Sequence, residues 1–273
     1  MNNVWITTWY TIREALARKV FLFFLGLSAL AIIISGIVVN VISDASLMSG
    51  FDFKQGGIVV KEVSTSIKLV IITPLTSLCI LLAVFSTASF VPIMLEKGNI
   101  DLLLSKPISR TQLLIGKYFG GLLVVFINIA FLVIGVWVVV SLRFMYFDFA
   151  FLSIILSVTF TFAVLYSLIV LFGVITQGSI LGMMLAYFIF LILSPVLYMG
   201  ITHFNTVIKS DFLNSLIETL YYITPKTHEL MGETTINLAI GKGIADWQPI
   251  LTSLAFMLLA LGYSIYLFNK KDF

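Results

Sequence analysis

The chain has 273 residues, 60% of them apolar and 11% charged, with a formal net charge of +3. Its mean hydropathy is +1.12, whereas a soluble domain has about 45–50% apolar and about 25% charged residues. Such a chain cannot cover itself with polar surface in water, which excludes a soluble enzyme or a soluble nucleic-acid-binding domain. Its length is better read as a number of membrane crossings.

Residues 3–19 come first. Trp5, Trp9, Ile12 and Leu16 recur at helical spacing, and Arg13, Arg18 and Lys19 supply charge. The spacing predicts an amphipathic helix over 1–19 lying along the membrane surface, with tryptophan at headgroup level. An N-terminal extension of the first span is the alternative. Six apolar runs follow, at about 20–42, 69–94, 118–142, 149–176, 180–201 and 249–268. Each is close to the roughly 20 residues needed to cross a hydrocarbon core of about 30 Å. The first is long, starts about twenty residues in and lacks a small-x-small site at Val39-Asn40-Val41, so it reads as an uncleaved span. Period-2 alternation is absent, which argues against a barrel. The expected fold is an all-α membrane protein of six transmembrane helices with an N-terminal interfacial helix.

Lysine and arginine set the expected orientation. The face with both termini and the 95–117 loop carries nine basic residues against four acids; the other face carries seven against nine. Both termini are therefore expected in the cytoplasm. Segment 143–148 is short enough to make spans three and four a tight hairpin. Segment 202–248 is the longest outer loop. Within it, Phe212, Leu213, Leu216, Ile217, Leu220 and Tyr221 predict an amphipathic helix. Gly116 and Gly120, and Gly178 and Gly182, form G-x-x-x-G pairs suited to close helix packing, within one chain or between two. Pro195 should bend span five. Cys79 lies alone in span two, as a packing residue.

The polar stretch between spans two and three reads Glu96-Lys97-Gly98-Asn99-Ile100-Asp101-Leu102-Leu103-Leu104-Ser105-Lys106-Pro107-Ile108-Ser109-Arg110. Asn99 is placed to cap a short helix whose first turn carries Asp101. Pro107 ends it, and Ser109 with Gln112 forms a capping box that starts the next helix. Three consecutive leucines cannot all face one interior. The segment is either a docking element for a partner or an ordinary amphipathic surface loop.

Residues 102–110, preceded by Glu96 and followed by Gly116-Lys117, resemble the first cytoplasmic loop of ABC-2 type permeases. They are most similar to the branch serving maturation of multicopper enzymes, typified by the nitrous-oxide-reductase accessory permease. The resemblance covers essentially the whole chain as a single transmembrane domain, 1–273, in the cytoplasmic membrane. It implies a permease that forms a homodimer or pairs with a similar subunit and binds two copies of an ABC ATPase, with a periplasmic accessory protein as a further candidate partner. Glu96, Ile100, Asp101, Leu103, Leu104, Ser105, Lys106, Pro107 and Arg110 would then form the ATPase-coupling surface, with Lys106 and Arg110 facing acids of the partner. The chain has no G-x-x-x-x-G-K-[ST] phosphate loop, so ATP and magnesium would belong to the partner and no cofactor is expected here.

Other chemistry is thinner. Nine methionines are scattered without a Met-x-x-Met repeat, and His203 and His228 fall in the outer loop region. No metal site is predicted from them. Ser179 and His203 sit at opposite ends of span five, roughly 35 Å apart, which argues against an intramembrane serine protease. The spans have almost no ionisable groups, so proton coupling is disfavoured. Asn128, Thr159, Thr161, Tyr166 and Ser167 are the candidate polar lining of a path. The alternatives are an exporter of lipid, peptide or drug, or a stand-alone immunity or anchor protein.

Overall fold

The computed structural model describes residues 2–17, 19–48, 57–96, 98–100, 108–204 and 211–271. Among them there is no β-strand, and six helices are long and apolar enough to cross a membrane. The order is α1 (Asn2–Ala17), α2 (Lys19–Met48), α3 (Gly57–Thr87), a short α4 (Phe90–Met94) and α5 (Arg110–Phe144). A 3-10 turn (Phe149–Ser153) leads into α6 (Ile154–Thr176). Then come α7 (Ile180–Phe188), α8 (Ser194–Met199), α9 (Asp211–Ile223), α10 (Thr227–Glu229), α11 (Thr235–Ala239) and α12 (Gln248–Lys270). Without water in the hydrocarbon core, backbone groups must bond within the segment, and helices do this.

Span α6 is the centre of the bundle. Phe151, Val158, Phe162, Val164, Tyr166 and Val170 are fully buried, and α3, α5, α7 and α12 all pack on it. Span two is not straight to its end. Pro92 lacks an N–H, and the helix breaks ahead of it at Ala88-Ser89 before the buried α4. The bend expected at Pro195 takes the form of a π-turn, Ile189–Leu193, placing Pro195 in the first turn of α8. That wider turn contains Leu191, whose carbonyl the proline ring would otherwise strike.

The hairpin between α5 and α6 is as tight as its sequence implied. Met145 adopts the left-handed conformation (φ 51°), Trp137 Nε1 donates to the Asp148 carbonyl at 2.7 Å, and the Asp148 side chain accepts from Ala150 N. On the same face, α9 forms where the periodicity placed it. The chain then turns back into the bundle through α10, a π-turn (Leu230–Thr234) and α11. Side chains of the spans anchor it: Ser253 Oγ accepts from Lys226 N, Ser194 Oγ accepts from His228 N, and the Ser157 and Thr235 hydroxyls lie 2.7 Å apart.

Candidate functional site: the face carrying both termini

The N-terminal helix does not merely rest beside the bundle. Its small and hydroxyl face, Thr7, Thr8, Thr11 and Ala15, is buried, while Trp5, Trp9 and Leu16 point outward. The buried face seats on Gly116 and Gly120. A Cβ added at Gly116 would lie 2.5 Å from Thr7 Cβ, and one at Gly120 would lie 2.4 Å from Thr11 Cβ. Only glycine permits this approach. Thr8 Oγ1 donates to the Gly116 carbonyl at 3.2 Å, and Lys117 Nζ donates to Glu14 Oε2 at 2.6 Å. The first glycine pair is thus used within the chain. Of the second pair, Gly182 meets the Ile169 backbone, its added Cβ falling 3.1 Å away, whereas Gly178 sits in the turn before α7, near no other span.

The capping box at the start of α5 is present. Ser109 Oγ accepts from Gln112 N, and Ser109 N donates to Gln112 Oε1, both at 3.2 Å. Immediately beyond it, Arg110 Nη1 donates to the carbonyls of Lys271 at 2.5 Å and of Phe268 and Asn269 at 3.4 Å. These are the last carbonyls of α12, which have no helical partner of their own and favour a cation. Lys271 repeats the arrangement one helix further on. Its Nζ donates to the Val174 carbonyl at 2.7 Å and to Ile175 at 3.2 Å, closing the end of α6. Asn269 Nδ2 adds a bond to Thr111 Oγ1 at 3.2 Å.

The expected coupling residues divide into two groups. Asp101, Leu103, Leu104, Ser105, Lys106 and Pro107 lie outside the described residues. Glu96, Ile100 and Arg110 are described, and two of them differ from expectation. Ile100 was expected on the docking surface; it is 2% exposed and belongs to the hydrophobic core. Arg110 was expected to face a partner's acids; its guanidinium is directed at the α12 carbonyls. Glu96 is exposed, and its carbonyl accepts from Asn99 N and Ile100 N. Asn99 is already helical, and its Nδ2 donates backwards to the Ile93 carbonyl, so its described bond closes the preceding helix.

The polar span residues are interior. Asn128, Thr161, Tyr166 and Ser167 are fully buried, and Thr159 nearly so. Asn128 Nδ2, Thr161 and Ser167 return their protons to carbonyls of their own helices. Tyr166 stacks between Tyr118 and Phe162, at 5.4 and 5.3 Å between ring centroids. Of these side chains, Thr159 lines a cavity between α5, α6 and α12.

On the opposite face, Tyr221 donates to Glu229 Oε1 at 2.6 Å and Tyr198 to Glu233 Oε1 at 2.8 Å. Lys226 Nζ lies 3.7 Å from the Tyr221 ring centroid. Burial pushes the Glu229 carboxyl up and the Lys226 ammonium down from their ordinary values. The His228 ring makes a tilted contact with Tyr198, 5.0 Å between centroids, and the His203 side chain lies outside what is described. Among the described residues no three His, Cys, Asp or Glu side chains converge as a metal site would require.

Six spans, one of them a buried central helix, with an N-terminal helix clamped to the bundle, define a multi-pass membrane protein. The family profile described as ABC-2 family transporter protein matches residues 15–273, and the chain belongs to that family. It is therefore a membrane component of an ABC transporter system. No curated protein matches the chain.

Proposed function

We propose that this chain is the permease subunit through which separate ABC ATPase subunits drive a substrate across the cytoplasmic membrane. Two permease chains, identical or paired with a similar subunit, would work with two ATPases, and both termini would face the cytoplasm, as the basic bias suggests. The family assignment supports the coarse reading. The observation that carries the mechanism is the set of ties around Arg110. Force applied at the 95–117 segment enters α5 at its capped first turn, and Arg110 and Lys271 pass it to α12 and α6. The Thr7–Gly116 and Thr11–Gly120 contacts pass it to α1. Because α6 is the hub, a shift there repacks the whole bundle.

The test is affinity purification of the tagged protein in mild detergent, with mass spectrometry of its companions. A stoichiometric ABC ATPase is expected, and replacing Leu103 and Leu104 together with Asp should release it while the permease stays folded. An ATPase that remains bound to the double variant would remove the coupling role from residues 100–110. Service to a copper enzyme is the narrower reading, supported by the similarity of residues 102–110. Co-purification of a periplasmic copper protein would be its signature.

A further inference from the structure

A cavity of about 600 Å³ runs between α5, α6 and α12. Leu114 and Tyr118, Leu156 and Ala163, and Leu258 and Ile265 stand for its three walls. It is open on the lipid side, where Leu156 and Leu258 are exposed. On α12 it extends from Leu254 to Ile265, about 17 Å at ~1.5 Å per residue. Its length and its apolar lining suit extended hydrocarbon.

Its chemistry agrees. No lining residue is charged, and the Tyr118 hydroxyl is already committed to the Ala163 carbonyl at 2.9 Å. Gly262 lines the slot, and nothing lies within 4 Å of where its Cβ would be. A glycine inside a helix weakens it and is usually explained by a close neighbour. Here its missing side chain keeps the slot open. At one end the slot gives way to Thr111 and Asn269, and the positive charges of Arg110, Lys270 and Lys271 gather there. Lys270 is exposed, its ammonium 4.6 Å from the Tyr266 ring centroid.

We propose that the slot is a binding site for an anionic phospholipid, with an acyl chain between α5, α6 and α12 and the headgroup at Lys270. The site does not depend on ATP-driven transport. The test uses the full chain in nanodiscs of zwitterionic lipid, with Trp introduced by Leu258→Trp and, as control, by Leu259→Trp on the bulk-lipid side. Brominated phosphatidylglycerol should quench the Leu258→Trp variant at about fivefold lower mole fraction than brominated phosphatidylcholine, the preference one lysine gives near an anionic headgroup. The Leu259→Trp control should not distinguish the two lipids. Adding Lys270→Gln should erase the preference. Gly262→Leu, whose Cβ would meet nothing within 4 Å, should fill the slot and weaken quenching by phosphatidylglycerol. Equal quenching by both lipids in the Leu258→Trp variant would overturn the proposal. So would a preference that survives both Lys270→Gln and a folded Gly262→Leu protein.

Discussion

Arg110 and Lys271 form one continuous tie: the Lys271 carbonyl accepts from Arg110 at 2.5 Å, while the Lys271 ammonium donates to the Val174 carbonyl at 2.7 Å. The ends of three helices, α5, α12 and α6, are joined here by two side chains. Replacing Arg110 with Ala removes charge-assisted bonds worth about 1.5–3 kcal/mol each, and the last carbonyls of α12 lose their donor. Arg110→Ala should therefore lower the melting temperature in detergent. It should also reduce substrate-driven turnover more than ATPase association. Arg110→Lys should fall between, since a single ammonium cannot reproduce the guanidinium fork. A variant that melts and turns over like the parent would show the tie to be idle.

The seat of α1 makes a second test. Gly120→Ala puts a methyl 2.4 Å from Thr11 Cβ, so a helix must move, at a cost of about 1–3 kcal/mol. Thr11→Gly removes the opposing atoms. Combined with Gly120→Ala, it should cost less than the two single changes added together, the signature of direct contact. Strict additivity in thermal unfolding would place the two residues apart.

The spans were legible because hydropathy needs only local sequence, and each apolar run found its helix. The apolar run of span three begins near 118, and its helix starts at Arg110, where the Ser109–Gln112 capping box was expected to start it. The glycine pair Gly116/Gly120 was visible, but its partner was not: Thr7 and Thr11 lie over a hundred residues away. The apolar stripe of α1 was also visible. In lipid such a stripe is the outward face, and the buried one is small and hydroxylic, opposite to a soluble helix. Arg110 looked available because a charge in a polar loop normally is. The carbonyls it serves come from the far end of the chain, and no local pattern announces them.

Glu14 and Lys117 should respond unequally to neutralisation. The Lys117 side chain is 3% exposed and that of Glu14 is 22% exposed. Glu14→Gln leaves a buried ammonium without its counter-charge, where breaking buried pairs costs about 3–5 kcal/mol. Lys117→Met replaces the ammonium with apolar atoms and leaves Glu14 able to turn towards water. Chemical or thermal unfolding should therefore find Glu14→Gln the more damaging change. The reverse order would mean that water reaches Lys117.

Glu229 gives the protein an acid-side pH dependence. Burial raises its carboxyl above the ordinary 4.5, and the Tyr221 hydroxyl and Lys226 only partly oppose this, while Glu233 and Asp246 add to it. Just above 4.5 the folded state retains a proton that the unfolded chain has released, so stability falls as pH rises through that window. Lys226 is shifted down from 10.5, so in the window below that value the unfolded chain binds more protons and stability rises with pH. Tyr221 is shifted up from 10.0 and acts only above it. Comparison with Glu229→Gln isolates the carboxyl's own contribution from these two. Melting measured from pH 4.5 to 7 should show stability declining towards neutrality in the parent. Glu229→Gln keeps an acceptor for Tyr221 but cannot ionise, so its curve should lose that decline. Parallel curves for the two proteins would mean that Glu229 carries the same charge in the folded and unfolded states across that range.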